Sequence, residues 1–412
     1  MNSAQGLLSP HDRPTAAWST VAGRLGESTM GDVLRWGAGG SVNFAGGFPD
    51  ERLFPMWHVQ DALDDVLARH GSQALQYGSA QGAEWVREAV AGHLERRGVL
   101  TSPRTMLLTS GAQQAIDLVT RLYVDPGDVV VTTSPTYFAA LELFEAAGAE
   151  IVTVPLDERG LDLDRLDAAL GDPRAKVCYL ITDHQNPTGI SLPAEQRPLI
   201  ADLMRRHACH LIEDDVFGDI AFEPPAPPIQ RWAPDRVSYV TSFSKGLSPG
   251  LRTGVLAAPA DVIGKALALR ENTDVCPNTL AHAVAGELLR SGAYHRLLPR
   301  LCARYRTRRD ALLASLERHL AGRAHWTTAR GGFFTWVTLD TATDAEELLK
   351  AAARSGVVFL PGSRFRRGGE PEGVQPEGGK PDGGKRAELR LSCARLEPTE
   401  IEEGIGRLAG LV

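Results

Sequence analysis

The chain has 412 residues, enough to bury a large core and to form more than one domain. Its 44 Lys and Arg against 51 Asp and Glu leave a formal charge of -7, which argues against a protein whose main task is holding nucleic acid. Five scattered cysteines show no metal-ligand or redox-pair spacing, no apolar run is long enough to span a bilayer, and the start "MNSAQGLLSPHDRP" is no signal peptide; a cytoplasmic protein without metal or membrane partner is expected.

Residues 1–50 read as an arm, punctuated by Gly and Ser, with one short helix at "TMGDVLRW". From "MWHVQDALDDVLARHG" onward, helical patterns alternate with short apolar runs. "REAVAGHLERRG" reads as a helix, "TMLLTSG" as a strand feeding a turn, and "AQQAIDLVTRLYV" as the next helix. Then come the strand "VVVTT", the helix "YFAALELFEAAG" and the strand "EIVTVPL". "KVCYLIT", "CHLIEDD" and "VSYVTSFS" are apolar runs bounded by turn residues, as strands buried on both faces should be. This alternation predicts an α/β fold: a mostly parallel, doubly wound sheet with helices on both faces, over 51–290.

After "GVLAAP" the pattern turns helical, and "HRLLPRLCARYRTRRDALLASLERHL" predicts one long helix with Pro299 near its first turn or at a kink. The strand "GGFFTWVTL", a helix at "DAEELLKAAARSG" and the strands "VVFLPG" and "AELRLS" predict a smaller α/β domain over 291–412. Within it, 366–386 is rich in Gly, Pro and charge and is expected to be a mobile loop.

Ligands of doubly wound sheets sit at the carboxyl ends of the strands. There the sequence places an anion cradle at Gly111, Ala112 and Gln113, the amide of Asn186, the carboxylate of Asp214, the amine of Lys245 and the guanidinium of Arg252. Lys245, in "SFSKGLSPGLRTG", could by itself be a nucleophile, a phosphate ligand or a loop charge. The converging set suits a flat phosphorylated ring carrying an aldehyde, an oxygen and a basic nitrogen.

Taken in order, "LQYGSAQG", "SGAQQ", "SPTY", "NPTG", "EDDVF" and "SFSKGLSPGLRTG" resemble the fold-type I pyridoxal-phosphate enzymes of the class I/II aminotransferase family. The resemblance implies pyridoxal 5'-phosphate as cofactor and a fold like that of aspartate aminotransferase. It implies that Lys245 carries the cofactor covalently and moves a proton, and that Asp214 pairs with the ring nitrogen. Asn186 would bind the ring oxygen, and Tyr137 would stack on the ring. Ser110, Gly111, Ala112, Ser242, Ser244 and Arg252 would hold the phosphate. Arg390 would take the α-carboxylate of a small-molecule amino acid substrate, with Asn186 and Gly47 nearby. Tyr77, with Thr279 on the same side, would reach the phosphate of a neighbouring subunit, making the active unit a homodimer with sites at its interface. Gly46 and Gly47 could instead form a simple turn, Asp215 competes with Asp214, and His184 is as well read as a satisfied buried histidine.

The family pattern breaks at Phe217, where a tyrosine is usual and would donate to the ring oxygen. The arm has Gly31 where dicarboxylate-handling relatives carry arginine, so an acidic substrate is not expected. The leading expectation is an aminotransferase acting on an L-α-amino acid. The alternative on the same cofactor is a β-eliminating lyase or a decarboxylating or oxidative deaminase of specialised biosynthesis. A third reading, the effector domain of a transcription regulator, needs an N-terminal winged helix, and no helix–turn–helix pattern precedes the aminotransferase-like region.

Overall fold

Runs such as "VVVTTS" and "VSYVTS" combine β-branched side chains with burial on both faces, and they form the central strands. The computed structural model describes residues 17–26, 28–36, 41–341, 343–367 and 386–412. The expected loop therefore lies outside the described residues, apart from its two ends. In chain order the first strands are β1 (Val42–Asn43), β2 (Met106–Ser110), β3 (Val129–Ser134), β4 (Glu150–Asp157) and β5 (Gly160–Leu161). β6 (Ala175–Ile181), β7 (His210–Asp214), β8 (Val237–Ser242) and β9 (Thr253–Ala257) follow.

β2 to β9 form one eight-stranded sheet in the order β2-β9-β8-β7-β6-β3-β4-β5. Strands β4, β3, β6, β7 and β8 pair in parallel, and β9 runs antiparallel to both its neighbours. Helices cover both faces. Leu166, Ile200 and Met204 pack on one, and Ile116, Phe144 and Ile263 on the other. Because β2 points the same way as β8, the carboxyl ends of β2, β3, β6, β7 and β8 gather on one edge. The reversed β9 brings its start, just after Arg252, to that same edge.

The smaller sheet contains β10 (Ala324–Trp326), β11 (Phe334–Asp340), β13 (Leu360–Pro361) and β14 (Arg386–Ser392), in the order β10-β11-β14-β13. Between them in sequence lies β12 (Val357–Val358), which pairs in parallel with β1 of the arm. The segment "VVFLPG", read above as one strand, is thus two that serve different sheets. Pro361 lacks an N–H and sits in the edge strand β13, where no further partner needs it. The long helix runs Ala293–Leu320 and begins after Gly292, so Pro299 lies in its second turn rather than its first. Among the described residues no helix is long and apolar enough to cross a membrane, and no group of three His, Cys, Asp or Glu is placed to hold a metal.

Candidate active site

A cavity of about 700 Å³ opens at the gathered strand ends. Its walls bring together Gly47, Ala112, Tyr137, Asn186, Asp214, Phe217, Ser242, Ser244, Lys245, Arg252 and Arg390. These residues span more than three hundred positions of sequence and come from both sheets.

Lys245 follows β8, and its Nζ donates to Gly47 O at 2.9 Å. Nζ also lies 5.5 Å from the centre of the Phe217 ring. Burial, reinforced by the positive charge of Arg390, brings its pKa down to about 8, although Asp214 pulls the other way. An amine so tuned is partly neutral, and therefore nucleophilic, near neutral pH.

Asp214 ends β7 and faces the cavity, while Asp215, next along the chain, turns to Arg97 and Tyr239. Successive residues of an extended chain point to opposite sides, and this settles which aspartate the cavity can use. Asp214 accepts from the Tyr179 hydroxyl at 2.7 Å and from Val216 N at 3.2 Å. Burial raises its pKa to about 6 even so. It is a buried carboxylate with room in front of it for a cation.

At the other end of the cavity a helix start meets an arginine and a serine. The helix Ala112–Tyr123 starts at Gly111, whose φ of 82° suits glycine, and no side chain caps its first N–H groups. A Cβ at Gly111 would fall 2.5 Å from Arg252 Nη2, so only glycine admits the guanidinium there. Arg252 Nη2 donates to Ser110 O at 2.7 Å. Ser242 Oγ accepts from Ser244 N at 3.2 Å and lies 3.0 Å from Thr253 O, which fixes the loop that presents Ser244 and Lys245. An uncapped helix start beside an arginine and a serine is a ready anion site.

Arg390, on β14, is 2% exposed and sandwiched by aromatic rings, with its guanidinium carbon 4.3 Å from the Phe334 centroid and 5.0 Å from that of Phe365. Nη1 donates to Asn186 Oδ1 at 2.9 Å and Nη2 to Ala45 O. Burial lowers its pKa to about 9. A Cβ at Gly47 would meet the Phe334 ring at 2.8 Å, so glycine there leaves space beside the arginine. Tyr137 precedes the helix Phe138–Ala147, and burial holds its phenol well above the ordinary range, hence protonated.

Other residues named from the sequence lie outside the cavity wall of this chain. Tyr77 is 80% exposed and away from this chain's cavity; Thr279 donates to the neighbouring Ala74 and Gln76 carbonyls. Ser110 contributes backbone rather than side chain, its N–H going to Gln114 Oε1. His184 does not line the cavity. It packs against Gly331 and Gly332, its Nδ1 lies 3.2 Å from Ser191 Oγ, and burial pulls it down to about 4. It is neutral and sequestered.

Sequence reasoning missed Tyr179, whose hydroxyl on Asp214 is the polar tip inside the apolar run "VCYLI". It also missed Phe365, which closes over Arg390 from a short turn after β13.

The family described as aminotransferase class I and II matches residues 41–408. The chain belongs to that family. Aromatic-amino-acid aminotransferase 1 of Thermococcus litoralis is 32% identical over 89% of this aminotransferase and 87% of its own length. Among solved structures, the multiple substrate aminotransferase of Thermococcus profundus is 30% identical, with a TM-score of 0.87 over 96% of this chain and 97% of its own. The α-aminoadipate aminotransferase LysN of Thermus thermophilus, complexed with N-(5'-phosphopyridoxyl)-L-leucine, is 32% identical with a TM-score of 0.85, over 96% of both chains.

Proposed function

We propose that this aminotransferase takes the amino group from an L-α-amino acid with a neutral, apolar side chain and works as a cytoplasmic homodimer. One observation carries the reading: a lysine amine poised near pH 8 and a buried carboxylate share a cavity with an uncapped helix start. The cofactor, pyridoxal 5'-phosphate, supplies an aldehyde that bonds reversibly to amines and a ring that withdraws electrons from the substrate's α-carbon.

The residues present fit that group. Asp214 would hold the proton on its ring nitrogen, and the Tyr179 hydroxyl keeps the carboxylate in place. Asn186 has its Oδ1 committed to Arg390, which leaves its amide N–H groups for the ring oxygen. The N–H groups at Ala112 and Gln113, together with Ser244 and Arg252, would bind the phosphate, with Ser242 buttressing their loop. Tyr137 would cover the ring. Arg390 would grip the α-carboxylate with both arms of its guanidinium, and Lys245 Nζ would take the α-proton and return it. Met30 and Val33 of the helix Thr29–Trp36, with Phe48 and Phe138, give the remaining wall an apolar character. Gly31 on that helix adds no charge, which supports a neutral side chain. Leu75 and Tyr77 are 68% and 80% exposed on one segment, the kind of apolar surface a second subunit covers.

The deciding experiment gives the holoenzyme a panel of amino acids without a keto-acid acceptor. One equivalent of 2-oxo acid per site with no free ammonia is expected. Catalytic release of ammonia or carbon dioxide would instead establish the lyase or deaminase, which Phe217 favours by removing a phenol from the ring's surroundings.

Two variants probe the ring's partners. Asp214 has a folded pKa of about 6 against 3.8 for the ordinary group, so the native state binds the extra proton. Its contribution to stability is therefore fullest below pH 4 and is lost as pH rises through about 6. The cofactor-free Asp214→Asn protein should exceed wild type at pH 7 by on the order of 3 kcal/mol and match it near pH 4, by denaturant titration at both pH values. It should nonetheless bind the cofactor more weakly. Phe217 packs edge-on against Phe333 and Phe334 at 5.2 and 5.3 Å. In Phe217→Tyr holoenzyme, the midpoint of the visible-absorbance pH titration should fall by on the order of one unit. An unmoved midpoint would show that the new hydroxyl does not reach the ring oxygen.

A further inference from the structure

Asp214 ends β7, held in the sheet by its pairing with Ile181 and Val240, whereas Asn186 stands five residues past the end of β6, in the loop beyond the sheet. The ladder between β6 and β7 ends at the pair Ile181 and Asp214. Just beyond it sit two more aspartates. Asp183 opens the loop that presents Asn186, and Asp215 follows Asp214. They are 2% and 1% exposed, and neither lines the cavity.

Arg97, at the end of the helix Glu84–Arg96, reaches between them. Its Nη2 lies 2.6 Å from Asp215 Oδ2 and 3.5 Å from Asp183 Oδ2. Arg197 grips Asp183 from the far side, with Nη2 2.6 Å from Oδ1 and Nη1 3.2 Å from Oδ2. It is anchored in turn by the carbonyls of Thr182, Leu192, Ala226 and Pro227. Tyr239 donates to Asp215 Oδ2 at 2.5 Å. The turn at Gly218 packs on this chain so closely that a Cβ would fall 2.3 Å from Asp215 Oδ1 and 2.4 Å from Arg97 Nη2.

Two buried carboxylates thus balance one buried guanidinium and one largely buried one, a condition for keeping any of them charged there. Burial works against the charge of Arg97, but Asp215, Tyr239 and Asp183 together more than offset it and the guanidinium stays protonated. A brace serving only overall stability could cross any two elements. This one crosses the ladder's end, one residue from Asp214 and three from Asn186.

We propose that Arg97 is a positioning residue of the cofactor site: by bridging Asp183 and Asp215 it sets the separation of Asn186 and Asp214. The inference rests on the cofactor reading above, since it assigns those two side chains to the ring. Its test uses the cofactor-stripped full chain, titrated with pyridoxal 5'-phosphate and followed by absorbance and by hydrogen exchange. In Arg97→Met the dissociation constant should rise at least about tenfold. Exchange before cofactor addition should quicken at 183–189 and 214–218 while the smaller sheet keeps wild-type protection. Arg97→Lys should recover part of the affinity, because it keeps the charge but loses the planar fork. Asp183→Asn breaks the same bridge and should weaken binding too, and the double variant should lose less than the two single losses combined.

A folded Arg97→Met protein with wild-type affinity would overturn the proposal, whether its exchange is unchanged or raised uniformly. If Arg97→Met does not fold, Asp183→Asn decides on the same terms, and wild-type affinity there overturns it. Failure of the wild-type chain to bind pyridoxal 5'-phosphate would instead bring down the cofactor reading itself.

Discussion

Lys245→Ala is expected to abolish covalent capture of the cofactor and turnover together, while the cavity still binds the cofactor reversibly. The lost amine is the group placed to move the substrate proton, and proton transfer alone accounts for about 10²- to 10⁴-fold in rate. Arg252, Ser244 and the start of the helix Ala112–Tyr123 remain, so the anion site should persist. Mass spectrometry after borohydride treatment checks the first part: the wild-type protein should carry the cofactor's mass at residue 245 and the variant should not. The pH dependence is an independent check. With the amine lowered to about 8 by burial, the neutral fraction grows as pH rises through that value. Capture by cofactor-free wild type should accelerate over the same range. A rate that stays flat from about one unit below that pKa to about one unit above it would show that a different group is modified.

The second large effect is expected at Arg390. Arg390→Lys retains a positive charge but offers no fork, and its shorter reach leaves the Asn186 amide oxygen without its donor. Breaking a buried, hydrogen-bonded charge pair costs about 2–5 kcal/mol, roughly 30-fold to several thousand-fold in kcat/KM. The loss should appear mainly as a higher KM, because the carboxylate is held before and during the reaction alike. Steady-state kinetics on the preferred amino acid measures it. Wild type should show a related trend, since burial lowers Arg390 to about 9 and the free site loses its charge above that pH. Its apparent affinity for the carboxylate should weaken as pH climbs past about 9, and an unchanged KM in Arg390→Lys would remove Arg390 from substrate binding.

Much of this architecture was legible because its signals are local. Strands buried on both faces must be apolar throughout, so "KVCYLI" and "VSYVTS" announce themselves, and the helices between them keep a period of 3.6. The reading of "VVFLPG" as one strand failed for the opposite reason. Which sheet a short strand joins depends on partners far away, here Val42 for Val357 and Arg390 for Leu360. His184 shows the same limit: beside a conspicuous Asn–Pro turn it could have served either purpose, and only the packing of Gly331 and Gly332 against it shows it sequestered. Arg97 carries no sequence signal at all, since an arginine at a helix end ordinarily faces solvent.

By itself the sequence determined the α/β class, the order of most elements and the set of polar residues at the strand ends, because periodicity and turn chemistry are properties of neighbouring residues. Only the tertiary structure decided that Asp214 rather than Asp215 faces the cavity, that Arg390 joins it from the smaller sheet, and that Lys245 and Asp214 carry shifted pKa values. Those outcomes depend on desolvation and on charges brought close across long stretches of chain. Burial and proximity exist only once the chain has folded.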